Sequence, residues 1–456
     1  MQTCAVILAA GAGTRMKSRL PKVMHPLCGK PMLWHVSRAA GAVTDKKVAV
    51  IGEGSEQVRD YFGEEFIYVL QEQQLGTGHA LQQTLSHLPQ EGQVLVLCGD
   101  TPLLQGQTLQ EMMDFHLAQK ASATVLTAVL EDPGGYGRIV RDASGKVRAI
   151  VEQPDASSEE LAIREINTGS YCFEAGALQK YLPRLQPNPR KGEYYLTDLL
   201  PHMLEAGLTV EAFVLPESRQ ALGINDRLQL SRAAELMRKK INEELMLSGV
   251  TMPDPSSCYI DASVTIGMDT IIYPQTILEG ETRVGENCRL GPGTHLQDSR
   301  VGNGVTCRQS VVVESSIGDG SQVGPFAYLR PGSNIGEQVK IGDFVEVKNS
   351  TIGKGSKVPH LSYVGDASIG AGVNMGAGSI VVNYDGRRKY RTDIEDGAFI
   401  GCNSSLVSPL SVGKGAFIGA GSTITRDVPA GSLTLSRSPQ EVKENLAERF
   451  LGKKEK

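Results

Sequence analysis

Hydrophobic and polar positions along this chain follow two different periods. Up to about residue 225, short apolar runs alternate with longer stretches of helical pattern. Val6-Ile7-Leu8-Ala9-Ala10, Lys47–Ile51, Phe66–Leu70, Val94–Cys98 and Thr124–Val129 predict buried strands, while Met32–Ala42 and Gly78–Leu88 predict helices. This alternation predicts an α/β domain, Rossmann-like and with a mostly parallel sheet, whose ligand site lies at the strand ends. Residues 226–248 are charged, leucine-bearing and free of glycine, which predicts one long connecting helix capped by Asn225 or Asp226. From 249 onward the period becomes six. Aliphatic residues recur at Ile266, Ile272, Leu278, Val284, Leu290 and Leu296, again from Ile317 to Val347, and again from Ile394 to Ile424. Glycine often follows directly, as in Ile335-Gly336 and Ile341-Gly342.

A hexapeptide repeat of this kind predicts a left-handed parallel β-helix, each face of a triangular coil turning one aliphatic side chain inward. The expected domains are therefore 1–225, a connecting helix 226–248, and a β-helix with its tail over 249–456. The period shortens to five at Leu296→Val301, Val347→Ile352 and Val364→Ile369. A longer break, Val382–Asp393, is basic and contains tyrosine. Such insertions leave a solenoid as external loops, often on its binding face.

Composition narrows the class. A chain of 456 residues exceeds one ordinary core. The net charge of −5 supplies no general attraction to nucleic acid or to a membrane surface, so an anionic substrate must be gripped by local Arg and Lys. No apolar stretch reaches the roughly 18 residues of a membrane span, and the N-terminus does not have the form of a signal peptide. The eight cysteines are scattered without a CxxC pair, which argues against a zinc site or a disulfide framework and fits the cytoplasm.

Chemistry enters at Leu8-Ala9-Ala10-Gly11-Ala12-Gly13-Thr14-Arg15-Met16, followed by Leu20-Pro21-Lys22. A glycine-rich turn after the first strand lets backbone N–H groups approach a base and phosphates, and Arg15 and Lys22 add positive charge for a triphosphate. Met16 at the third glycine position excludes a dinucleotide fingerprint, and no Gly-Lys-Ser/Thr follows for a Walker loop. With Gln71-Glu-Gln-Gln-Leu75-Gly76-Thr77-Gly78, Gly99-Asp100, Gly135-Tyr136-Gly137-Arg138, Glu152, Glu165-Ile166-Asn167 and Gly223-Ile224-Asn225, this segment resembles the sugar-1-phosphate nucleotidyltransferase family. The resemblance implies that Leu8, Ala9, Ala10, Gly11, Gln71, Gly76, Thr77 and Gly99 bind the nucleotide. It implies further that Gly137, Glu152, Asn167 and Asn225 hold the sugar side, that Asp100 and Asn225 hold Mg²⁺, and that Arg15 and Lys22 are catalytic. Cys98 departs from the family, which often carries tyrosine before the Gly-Asp pair.

In the β-helix, polar residues gather where the repeat breaks: Arg330, Lys348, His360, Tyr363, Asn374, Asn383, Tyr384 and Lys389. A lone histidine is more often structural than catalytic, but His360 follows Pro359 beside a shortened coil. The order of nucleotidyltransferase, connecting helix, long hexapeptide β-helix, Pro359-His360-Leu361-Ser362-Tyr363 and Asn383-Tyr384-Asp385-Gly386 resembles one family across the whole chain. This is the bacterial bifunctional N-acetylglucosamine-1-phosphate uridylyltransferase/glucosamine-1-phosphate N-acetyltransferases. The resemblance implies acetylation of glucosamine-1-phosphate by acetyl-CoA, then uridylylation by UTP to UDP-N-acetylglucosamine, a precursor of peptidoglycan and lipopolysaccharide. By the same resemblance His360 is the general base. Arg330, Lys348, Tyr363, Asn374 and Lys389 bind the acetyl acceptor, and Ala377, Asn383, Tyr384, Cys402, Ala420 and Arg437 bind acetyl-CoA. Cys402 stands where relatives commonly carry serine. A homotrimer through the β-helix is expected, with small molecules as the other partners. Two alternatives stay open: a single-activity sugar-1-phosphate nucleotidyltransferase with a regulatory or structural β-helix, and a scaffold with a degenerate catalytic half.

Overall fold

The computed structural model describes residues 2–188 and 192–451, so the lysine-rich end and the expected boundary at 456 lie outside the described residues. The chain divides into two compact units between Arg238 and Lys239.

In the first unit the main strands are β1 (Thr3–Leu8), β2 (Lys47–Gly52), β3 (Ile67–Gln71), β4 (Gln93–Cys98), β5 (Ala123–Val129), β6 (Arg138–Arg141), β7 (Val147–Val151), β8 (Glu165–Glu174) and β9 (Val210–Val214). Their order across the sheet is β9-β5-β8-β4-β1-β2-β3, with the β6–β7 hairpin attached at β8. All pairings along that path are parallel except those of β8, which runs antiparallel between β4 and β5. The apolar runs predicted this sheet because strands buried on both faces have no polar side to show. The direction of β8 left no mark in its composition, since an antiparallel strand at the centre is buried in the same way. Helix α1 (Met32–Gly41) matches its predicted span, whereas Gly78–Leu88 resolves into a short helix, Thr77–Gln82, and a separate turn, Leu85–His87.

Helix α2 (Arg227–Leu247) runs through the boundary between the units. Of its two candidate caps, Asp226 does the work, its carboxylate accepting from the Gln229 amide at 2.8 Å. Asn225 is thereby left free to face the first unit's site. At the other end, Ile241, Leu245 and Met246 pack against the apolar interior of the second unit.

That second unit is a left-handed parallel β-helix. Its described strands form three faces of ten, nine and ten strands, beginning at Tyr259–Ile260 (face I), Thr265–Ile266 (face II) and Ile271–Ile272 (face III). The six-residue series of aliphatic residues is its core, buried at every predicted position except Ile266, which is half-buried. Cys307 and Met375 take aliphatic places in the same stack. The three predicted five-residue steps and the long insertion all fall at one corner, where face I turns into face II. Val382 and Thr392–Asp393 belong to the flanking strands, so the protruding loop itself is 383–391.

Candidate active sites

In the first unit the chain leaves β1 and β4 side by side at their carboxyl ends, where the Gly99 amide donates to the Leu8 carbonyl at 2.9 Å. Two cavities adjoin there. One, of about 270 Å³, is lined by Leu8, Ala9, Ala10, Gly11, Lys22, Gln71, Gly76, Thr77 and Asp100. The other, of about 230 Å³, is lined by Gly137, Glu152, Asn167, Asn225 and again Asp100. Glycine is required where the walls close: Gly13 and Gly76 have φ of +58° and +101°, and a Cβ would meet Lys22 at the first and the Tyr194 carbonyl at the second. Asp100 therefore stands where the two cavities meet. The Lys22 ammonium lies between two oxygens there, hydrogen-bonded to the Asp100 carboxylate and donating to Asn225 Oδ1 at 2.7 Å, while Arg15 donates to the same Oδ1 at 2.8 Å. Cys98 borders both cavities. Burial, with Asp100 adding to it, pushes its thiol up to about 12, so it stays a neutral thiol.

In the β-helix most of the predicted residues fall into two groups along the edges of face I. At the corner between faces I and II, Arg330 pairs with Glu346 at 2.8 Å and Lys348 with Asp366 at 3.6 Å. The 383–391 hairpin, closed by pairing of Tyr384 with Lys389, brings Lys389 against Lys348. Burial alone would raise the Asp366 carboxyl, but hydrogen bonds from Asn349 and Asn383 and the two lysines leave it below the usual range. Lys389 is lowered by its contact with Lys348, which in turn is raised and keeps its proton. At the opposite corner, between faces III and I, His360 Nδ1 lies 2.5 Å from Asp343 Oδ1. From His360 a line of backbone contacts climbs coil by coil. Gly378 donates to the His360 carbonyl, Asn403 to that of Ala377 and Gly421 to that of Cys402, while Arg437 donates to the Ala420 carbonyl at 2.9 Å. Tyr363 spans the face between the two corners, because Gly365 has no side chain to block it. A Cβ at Gly365 would strike both the Tyr363 hydroxyl and the Asn383 amide.

Comparison with known proteins adds the rest. Residues 4–219 match the family model described as nucleotidyl transferase, and residues 314–349 that described as bacterial transferase hexapeptide (six repeats). The bifunctional protein GlmU of Heliobacterium modesticaldum is 54% identical over 457 residues, covering 99% of this chain and 98% of its own. That of Geobacillus sp. (strain WCH70) is 51% identical with the same coverage, and that of Halalkalibacterium halodurans is 52% identical over 97% of each chain. The chain belongs to the GlmU family. It is accordingly a bifunctional transferase of UDP-N-acetylglucosamine synthesis, a uridylyltransferase and an acetyltransferase on one chain, and the single-activity and scaffold alternatives fall away.

Within this GlmU-family chain the structure gathers the first site into one place. All the nucleotide- and sugar-side candidates line the two cavities except Gly99, which supports their floor, and Arg15, which reaches in from the exposed turn through Asn225. The second set is split within one chain. Arg330, Lys348 and Tyr363 lie along face I to its corner with face II, where Asn383 and Lys389 of the 383–391 loop join them. His360, Ala377, Cys402, Ala420 and Arg437 follow the other corner, Asn374 lies on face III between Lys357 and Phe399, and Tyr384 is on the exposed hairpin. Asn383 is buried with its amide donating to Asp366, so it braces the cationic group. Gln74, inside the Gln71–Gly78 stretch, donates to the Ala10 carbonyl at 2.7 Å. Two residues that no sequence motif marks also shape the sites: Asp366 anchors the cations and Asp343 faces His360, each through a contact one coil away. No helix among the described residues is long and apolar enough to cross a membrane.

Proposed function

We propose that the two cavities hold UTP and N-acetylglucosamine-1-phosphate respectively, with the α-phosphorus above Asp100. The observation that carries this reading is the cation already seated between Asp100 and Asn225 at the cavity junction, in the form of the Lys22 ammonium. One carboxylate and one amide oxygen are hard donors of the kind Mg²⁺ takes alongside substrate phosphates, so this pair fits the ion. Asp100 and Asn225 would hold it, and it would supply neutralisation of the triphosphate. Arg15 and Lys22 then turn to the phosphates. A sugar-phosphate oxygen, already anionic, attacks the α-phosphorus in line and pyrophosphate leaves, so no protein base is required. Gly137, Glu152 and Asn167 orient the sugar.

At the second site His360 takes a proton from the substrate ammonium, the freed amine attacks the thioester carbonyl, and CoA leaves as the thiol after receiving a proton. Arg330, Lys348 and Lys389 grip the sugar phosphate, Tyr363 and Asn374 orient the sugar, and acetyl-CoA follows Ala377, Cys402, Ala420 and Arg437 up the corner. We place the chain in the cytoplasm as a homotrimer through the β-helix, because one flat face is too shallow to enclose both substrates, whereas grooves between three prisms are not. Purified protein given glucosamine-1-phosphate, acetyl-CoA, UTP and Mg²⁺ should yield UDP-N-acetylglucosamine by mass. Product without acetyl-CoA dependence would refute this assignment.

Two further outcomes follow. Lys389, lowered by Lys348, loses its charge first as pH rises, and a neutral amine no longer holds phosphate. The KM for glucosamine-1-phosphate should therefore rise on the alkaline side, and Lys389→Arg, which stays charged, should flatten that rise. Co-expression of His360→Ala with Tyr384→Ala tests the shared groove. If each site takes His360 from one chain and Tyr384 from the next, about a quarter of the interfaces in random mixed trimers are intact. Acetyl transfer near that fraction is expected. None, with mixed trimers proved by tagged pull-down, would put both residues in one subunit's site.

A further inference from the structure

The corner that carries His360 is built to bring one carboxylate to its ring. Strands Lys340–Asp343 and Lys357–His360 pair in parallel register, Asp343 directly against His360, one coil below. The coils approach so closely that a Cβ at Gly342 would run into the Pro359 carbonyl oxygen. Just past each residue the chain turns through the left-handed region, at Phe344 with φ +56° and Leu361 with φ +51°. Bulky residues adopt that conformation only where the surroundings enforce it. Here the Leu361 amide donates to the Asp343 carbonyl at 3.0 Å and the Phe344 amide to the Phe326 carbonyl at 3.2 Å, pinning both turns. The two side chains thus leave the same corner side by side, both reaching solvent, and meet at 2.5 Å. The hydrogen bond from His360 holds the Asp343 carboxyl below the usual range, so it is a carboxylate acceptor at neutral pH.

We propose that Asp343 is a positioning residue for acetyl transfer, fixing the His360 ring and its tautomer so that Nε2 carries the free lone pair. A neutral imidazole holds one N–H and one acceptor nitrogen, and the bond at one nitrogen decides which is which. With Nδ1–H donating to Asp343, the accepting nitrogen is the one remote from the backbone, where it can reach an amine lying on face I. When Nε2 takes the proton, the carboxylate also stabilises the imidazolium. Asp343 touches no substrate and acts only through His360, so this inference rests on His360 being the base.

A double-mutant cycle tests it, measuring kcat and KM for acetyl transfer in Asp343→Ala, His360→Ala and the double variant. Asp343→Ala should lower kcat about 10-fold or more, a share of the 10²- to 10⁴-fold a positioned base is worth. Both KM values should stay within about 2-fold, and the uridylyl activity and melting temperature should be unchanged. Asp343→Asn keeps the shape without the charge and should fall between. It replaces alanine in the cycle if the alanine variant does not fold. The double variant should be no slower than His360→Ala alone. Full kcat in Asp343→Ala and Asp343→Asn, or a double variant slower than His360→Ala by the single factor again, would overturn the proposal. Near-normal acetylation in His360→Ala would instead remove the base itself, and this proposal with it.

Discussion

Replacing His360 by alanine is expected to slow acetyl transfer by roughly 10²- to 10⁴-fold, the usual worth of a positioned base. The amine of glucosamine-1-phosphate is an ammonium near neutral pH and has no lone pair to offer a thioester. The alternatives to an imidazole nearby are poor. Arg330 cannot accept a proton, Lys348 is raised and keeps its own, and Asp366 is held ionised by its hydrogen bonds and the lysines and is therefore a weak base. A barrier increase of about 3–5 kcal/mol corresponds to that loss. Uridylyl transfer from supplied N-acetylglucosamine-1-phosphate should not change, because every residue assigned to it lies in the other compact unit. Initial rates of the two half-reactions, measured separately, decide the matter. Near-normal acetylation would remove His360 as the base.

Asp100→Ala is expected to lower uridylyl transfer by about 10²- to 10³-fold or more, the order found when one preorganised electrostatic contact to the reacting charge is deleted. The substitution removes the carboxylate to which Lys22 is hydrogen-bonded at the cavity junction, and leaves the Asn225 oxygen facing that ammonium. Of the two groups proposed to hold the counter-ion of a triphosphate there, only the neutral Asn225 amide would remain. Acetylation should be untouched, since amide formation from a thioester requires no metal. In the wild-type protein EDTA should accordingly silence uridylyl transfer alone. Equal loss of both reactions on chelation would contradict a metal confined to the Asp100–Asn225 site.

Much of this protein was legible in order along the chain, and the reason is the length scale of the signals. A six-residue period is a local rule repeated at every coil, so Ile272, Leu290 and Ile341 each declare the β-helix independently. The positions at which the period breaks were legible for the same reason, although that they all share one corner emerged only when the coils were stacked. Gly11, Lys22 and Asp100 likewise lie near strands whose burial the apolar runs announce, and the fold carries them to one cavity wall, with Arg15 reaching in through Asn225.

What the sequence could not settle was decided by contacts between residues far apart in it. Strand β8 runs antiparallel because its pairing is chosen by neighbours β4 and β5, and burial on both faces looks alike in either direction. Asp226 rather than Asn225 caps α2, which releases Asn225 to face Lys22 and Arg15, 203 and 210 positions away. Asp343 lies 17 positions before His360, about one coil, and becomes its partner only because parallel stacking turns one coil of chain into direct contact. Periodicity along the chain determined which side chains point inward. Which outward-pointing side chains meet was determined by register between coils, a property that no single segment contains.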